Sequence, residues 1–209
     1  MGKDTVRGRE AVRRLEEVVR AASRVAQDPG LRERYAQLPR LPLRILCCPL
    51  DKGINHGNIL RIAECFRVEK VVYAPVSSEK EKDLSGGFAA IKWQPFEWKP
   101  TVEAIEEAKA EGYRIYGLTL SPDCVPIQRV EWQFPCALVV GRELEGLDPE
   151  AEALCDEKVA IPLFGMVESL NVAVATGIAV SRIADAYRLR DPSFVPARSA
   201  QQRLLERDP

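Results

Sequence analysis

The chain has 209 residues, 46% of them hydrophobic, with 30 Lys+Arg against 31 Asp+Glu and one histidine, a formal net charge of −1. That length and composition suit one soluble globular domain with a sizeable core, or such a domain plus a short extension, and the near-neutral balance gives no global electrostatic signature for nucleic acid. The charged start "MGKDTVRGREAVRRLEE" lacks the apolar run of a signal peptide, and no stretch approaches a membrane span, so a cytoplasmic location is expected.

Along the chain, residues 9–27 place Val12, Leu15, Val18, Val19 and Ala22 at helical spacing with Arg and Glu opposite. "DPG" at 28–30 breaks that helix, a second short helical piece runs to Gln37, and "LPRLP" at 38–42 is expected to be a linker. Residues 1–42 are therefore a helical extension too small to hold a core alone. Residues 1–44 carry eleven Lys/Arg against six Asp/Glu, a basic end that suits a polyanion partner or a solvated helix face.

From Leu43 to Arg190, short apolar runs alternate with helical patterns. Strands are expected at 43–48, 70–74, 113–120, 136–140 and 158–162, with 90–98 extended. Helices are expected near 57–67, at 101–112 with Thr101 as cap and Gly112 as stop, and at 171–190. This alternation predicts an α/β domain with a largely parallel sheet, followed by a tail at 191–209. The six cysteines, scattered without C-x-x-C spacing, are expected to be reduced structural thiols, and no metal site is expected.

In open parallel sheets, ligands bind beyond the carboxyl ends of the strands. Three loops there are rich in glycine and polar side chains: "PLDKGINHGNILRIAECF", "GRELEGLDPE" and "LFGMVESLN". They hold no dinucleotide or P-loop glycine fingerprint and no Ser-centred hydrolase elbow. They do hold Asn55, Asn58 and Arg61, then Glu143, then Ser169 and Asn171. Each has a structural explanation when taken alone: Asn55 as a turn residue, Glu143 as a surface charge, Ser169 or Asn171 as a helix N-cap.

Taken together, "NHGNILRIAECF", "VVGRELEGLDP" and "IPLFGMVESLNVAVATGIAV" resemble the three motifs of the SpoU/TrmH-type RNA 2′-O-ribose methyltransferases of the SPOUT superfamily, over residues 43–190. The resemblance implies an α/β fold: a five- or six-stranded parallel sheet with flanking helices and a C-terminal deep trefoil knot, preceded by the helical extension. It implies a homodimer that binds S-adenosylmethionine and methylates a ribose 2′-hydroxyl in structured RNA, tRNA or rRNA. By motif matching, Arg61, Asn55, Glu143, Ser169 and Asn171 would be the catalytic set. Leu118, Thr119, Gly141, Ile161 and Leu170 would touch the cofactor.

In this family the arginine matching Arg61 is the usual activator of the hydroxyl. Arginine ionises only above about pH 12, and each unit of depression costs about 1.4 kcal/mol, so a neutral arginine near pH 7 would cost at least about 7 kcal/mol. A charged Arg61 that clamps a phosphate, oriented by Glu143, is the less demanding arrangement. Val172, Val174 and Ile178 are expected to bury the last helix, and His56 to be a loop side chain near the RNA. The sequence departs from the common pattern at Arg142 and Leu144, which flank Glu143, and in "ADAYRLRDP" at the end of the last helix. RNA contacts would fall to Arg7, Arg9, Arg13, Arg14, Arg20 and Arg24, with Arg198 and Arg203 in the tail. A catalytically silent RNA-binding protein on the same scaffold, and a different α/β nucleotide enzyme, remain as alternatives.

Overall fold

The structure, a computed structural model, describes residues 31–76, 84–87, 89–142 and 145–195. The helix predicted at 9–27 with its arginines, residues 77–83 and 88, Glu143, Leu144, and Arg198 and Arg203 lie outside the described residues. The chain divides into two units, residues 1–38 and 39–209. In the first, α1 (Leu31–Ala36) is the short helical piece expected before Gln37.

The second unit is built on a seven-stranded sheet in the order β3-β2-β1-β6-β4-β7-β5. Its strands are β1 (Leu41–Cys47), β2 (Val68–Tyr73), β3 (Phe96–Trp98), β4 (Arg114–Leu118), β5 (Val125–Pro126), β6 (Cys136–Val140) and β7 (Glu157–Ala160). All neighbouring strands run parallel. The count exceeds the five or six expected because two-residue β5, too short to register as a hydrophobic run, extends one edge, while β3 at the other edge falls within the segment expected to be extended. Leu41 opens β1 and is fully buried, so the expected linker ends two residues earlier, at Arg40.

Four helices complete this unit: α2 (Gly53–Cys65), α3 (Thr101–Ala110), α4 (Pro149–Ala153) and α5 (Val172–Arg190). Alternate strand residues serve opposite faces of the sheet. Leu43, Ile45, Cys136, Leu138 and Val140 pack with Ile59 and Leu60 of α2 and Val180 and Ile183 of α5. Leu46, Cys48, Ala137 and Val139 pack with Ala104, Ile105 and Ala108 of α3 and Ala151 of α4. Burial on both faces explains why "CALVV" is continuously apolar and why every residue of β6 is buried.

Four local expectations change. Helix α2 begins at Gly53, four residues before the predicted start. Lys52 offers no side-chain cap, and Gly57 approaches the 3₁₀ turn Ser85–Gly87 so closely that a Cβ there would sit 2.6 Å from the Gly87 nitrogen. Packing, not propensity, thus fixes this end of the helix. His56 consequently lies inside the helix, 1% exposed, with Nδ1 3.1 Å from the Gly53 carbonyl and its ring 5.0 Å from that of Tyr73. It is a core side chain, not a loop side chain near RNA. Thr101 is not the cap of α3: Pro100 holds that position, and the buried Thr101 hydroxyl donates to the Cys47 carbonyl at 3.2 Å. Residues 89–93 form turns, leaving only Phe96–Trp98 extended.

All six cysteines are thiols; Cys47, Cys48 and Cys136 are buried, while Cys65 is exposed on α2. Burial raises the Cys48 thiol to about 11 and pushes that of Cys136 higher still. No helix among the described residues is long and apolar enough to cross a membrane.

Candidate active site

The carboxyl ends of β6, β4 and β7, adjacent in the sheet, carry the loops around one cavity of about 430 Å³, within the range of small-molecule sites. Leu118, Thr119 and Leu120 come from the end of β4, Val140, Gly141 and Arg142 from β6, and Ile161 and Leu163 from β7. Ser169, Leu170, Val172 and Ala175 close it from the loop and first turn of α5. All five residues that the motifs assign to the cofactor, together with Ser169, therefore line one space.

The turn after β6 is shaped for close approach. Arg142 and Gly146 exchange backbone hydrogen bonds of 2.8 and 3.1 Å. A Cβ at Gly141 would meet the Gly146 carbonyl oxygen at 1.9 Å. Only glycine permits this turn, which brings peptide groups to the cavity wall. The wall mixes apolar side chains with polar ones, the latter being Arg142, Glu145, Glu168, Thr119 and Ser169. Such a lining fits a nucleoside cofactor: apolar walls for a flat base, backbone groups for its edge, and carboxylates for a cationic end.

Asn171 joins two of the three motifs. As the N-cap of α5, its Oδ1 accepts from the backbone N–H of Ala173 at 3.0 Å and Val174 at 3.3 Å. Its Nδ2 donates to Asn55 Oδ1 at 3.1 Å, across 116 residues of sequence. Asn55 is buried in α2, held there by the same packing that buries His56. Arg61 lies further along α2, exposed, outside the cavity lining and without an ion pair among the described residues. Asn58, one helical turn away, places its Oδ1 against Gly86 and so braces α2 on the 3₁₀ turn.

Two readings of "IPLFGMVESLNVAVATGI" are corrected or narrowed. Asn171, not Ser169, caps the helix, leaving the Ser169 hydroxyl on the cavity wall. Val172 and Ala173 are buried, but Val174 is 51% and Ile178 37% exposed, so they do not bury the helix as expected. Gly177 sits against α2: a Cβ there would touch Ile62 at 3.4 Å. The motif matching missed Leu120, Leu163, Gly146, Glu145 and Glu168 as cavity residues. Of these, the second glycine of "GRELEG" was the one with a visible signal.

A doubly covered parallel sheet with a nucleoside-sized cavity at its carboxyl rim defines a parallel α/β enzyme of the nucleotide-cofactor class. Residues 42–181 match the SpoU rRNA methylase family, and the chain belongs to it. A tRNA (guanosine(18)-2′-O)-methyltransferase from Escherichia coli strain K12 is 30% identical over 184 residues, covering 82% of this chain and 80% of that protein. The enzyme of the same name from Aquifex aeolicus is 36% identical over 126 residues, 59% of this chain and 60% of that one. Among solved structures, the A. aeolicus TrmH/SpoU tRNA modifying enzyme superposes with a TM-score of 0.69 at 27% identity, covering 83% of this chain and 92% of that chain. The protein is thus an RNA methyltransferase of the SpoU family, with S-adenosylmethionine as methyl donor.

Proposed function

We propose that the chain methylates the ribose 2′-hydroxyl of a guanosine in tRNA, and that it does so as a homodimer. The observation that carries the reading is the convergence at one rim of a nucleoside-sized cavity, the Ser169 hydroxyl and the Asn55–Asn171 pair. The choice of tRNA over rRNA follows the relatives of 30% and 36% identity, both named as tRNA guanosine enzymes.

Leu118, Thr119, Gly141, Ile161 and Leu170 would hold S-adenosylmethionine, which would supply an electrophilic methyl group. The residues of the chain have the remaining work: fixing the hydroxyl in line with that methyl and letting its proton leave. Arg61, solvent-facing and without a carboxylate partner among the described residues, is the phosphate clamp. Its charge stabilises the oxygen as negative charge develops there. Glu143 orients Arg61, Ser169 contacts the ribose from the cavity wall, and Asn55 with Asn171 fixes α2 against the start of α5. The basic segment 1–42 supplies phosphate contacts that the near-neutral chain otherwise lacks. A cytoplasmic location goes with this reading of the substrate.

For the homodimer, the support is a set of large apolar side chains that none of the described residues covers. Phe164 and Met166 are each 98% exposed, and Val174 and Ile178 follow on successive turns of α5. Exposure of this kind marks an interface. Sedimentation of Ile178→Asp beside the wild type tests it; a wild-type monomer at micromolar concentration refutes it.

Transfer of labelled methyl to tRNA and, separately, to rRNA, followed by nuclease digestion, tests the reaction. Ribose label on tRNA guanosine, lost in Arg61→Ala, is expected. Label on a base, or on rRNA alone, overturns the proposal. Arg61→Lys keeps the charge without the fork and is expected to lose at least about tenfold in turnover.

A further inference from the structure

We propose that Arg142 is a positioning residue that couples the cavity to the helix bearing Asn55 and Arg61. The inference rests on the reading of the cavity as the cofactor site. Strands β1 and β6 are neighbours in register, Cys47 opposite Val140, and the last rung between them is the Cys48 N–H on the Val140 carbonyl at 2.9 Å. Beyond that rung the two chains separate into the loop toward α2 and the turn at the cavity. Arg142 spans the gap: its Nε donates to the Pro49 carbonyl at 3.0 Å and lies 3.8 Å from Asp51 Oδ1. Its other nitrogens face Glu145, through a hydrogen bond, and Asp148 Oδ1 at 3.9 Å.

Two of the guanidinium nitrogens are therefore hydrogen-bonded within the protein, the third lies 3.9 Å from Asp148, and three carboxylates flank the group. That arrangement disfavours a phosphate contact and suits a cross-link. At one end of the link is the Arg142–Gly146 turn, which lines the cavity. At the other is Pro49–Asp51, which leads directly into Gly53, Asn55 and the rest of α2. A displacement of the turn when the cavity fills is passed to the loop that sets where α2 begins. Asn171 ties α2 to the third motif, so Arg142 completes a circuit through all three loops. The residue that departs from the common pattern is, on this geometry, the one that joins the two halves of the site.

Hydrogen–deuterium exchange of the full chain, with and without S-adenosylhomocysteine as the non-reacting probe, separates the possibilities. In the wild type the probe slows exchange at 161–170 and at 51–56. In Arg142→Ala the protection at 161–170 stays and that at 51–56 is lost. Turnover then falls between about 10- and 100-fold, the cost of a misplaced catalytic group, while the cofactor KM changes less than about threefold. Arg142→Lys restores part of both. Equal protection of 51–56 in the wild type and Arg142→Ala, or unchanged turnover, overturns the coupling. Absence of protection at 161–170 in the wild type overturns the cofactor-site reading instead. Should Arg142→Ala lose its far-UV circular dichroism, Arg142→Gln decides by the same comparison.

Discussion

Replacing Asn171 by alanine removes two interactions at once, and the structure sets the size of each. The cap on Ala173 and Val174 is worth about 1 kcal/mol. The hydrogen bond to Asn55 is worth about 1 kcal/mol more. The sum, about 2 kcal/mol, lowers the melting temperature of a unit the size of residues 39–209 by about 4–8 °C. Asn171→Asp separates the two parts. It keeps a capping oxygen and places a negative charge at the helix N-terminus, which is favourable, but it can no longer donate to Asn55. Thermal unfolding followed by circular dichroism should show the aspartate variant losing about half of what alanine loses, and methyl transfer should fall in both. An alanine variant melting within about 1 °C of the wild type, or an aspartate variant as damaged as alanine, would refute the division.

Gly141→Ala forces a Cβ to within 1.9 Å of a backbone oxygen, so the turn must open; we expect cofactor affinity measured by calorimetry to drop at least about tenfold, by the cost of overpacking. Alkylation by iodoacetamide at pH 8, followed by mass spectrometry, should label Cys65 at least about tenfold faster than Cys47, Cys48 or Cys136, because burial keeps those thiols protonated and out of reach. Hydrogen bonds from Lys158 and Ser121 lower the Asp123 carboxyl to about 2. Since its folded value lies below the unfolded one of about 3.9, its contribution is present above about pH 4 and lost as pH falls through about 2. The melting difference between wild type and Asp123→Asn, small for so exposed a pair, should therefore be present at pH 6 and vanish near pH 2.

The sheet interior was the most legible part of the sequence. "CALVV" gave its strand to the residue, because burial on both faces leaves no polar position to blur the run. Helix α5 was legible from its length and its capping asparagine, within one residue at its start. Helix α2 was misplaced because Gly53, Asn55 and Gly57 are poor helix formers held by contacts remote in sequence. The same cause hid the burial of His56. Val174 and Ile178 show another limit: hydrophobic spacing marks a face to be covered without saying what covers it. At the site, the five residues that the motifs assign to a cofactor all line the cavity, whereas Leu120, Leu163 and Glu168 carried no such signal. The tie through Arg142 was invisible, since a guanidinium bridging two loops leaves no periodic trace.

Helix α5 runs from the cavity back along the sheet, and its C-terminal end is clasped. Tyr187 and Phe194 stack edge-on at 5.3 Å, and Arg67, at the amino end of β2, covers Phe194 at 4.7 Å and donates to the Val195 carbonyl at 2.7 Å. Val195 therefore emerges beside the amino ends of the strands, on the side away from the cavity. A linker grafted at Val195 to tether the enzyme to a surface would present the carboxyl rim outward, and immobilised enzyme attached there should keep its access to an RNA as large as a folded tRNA.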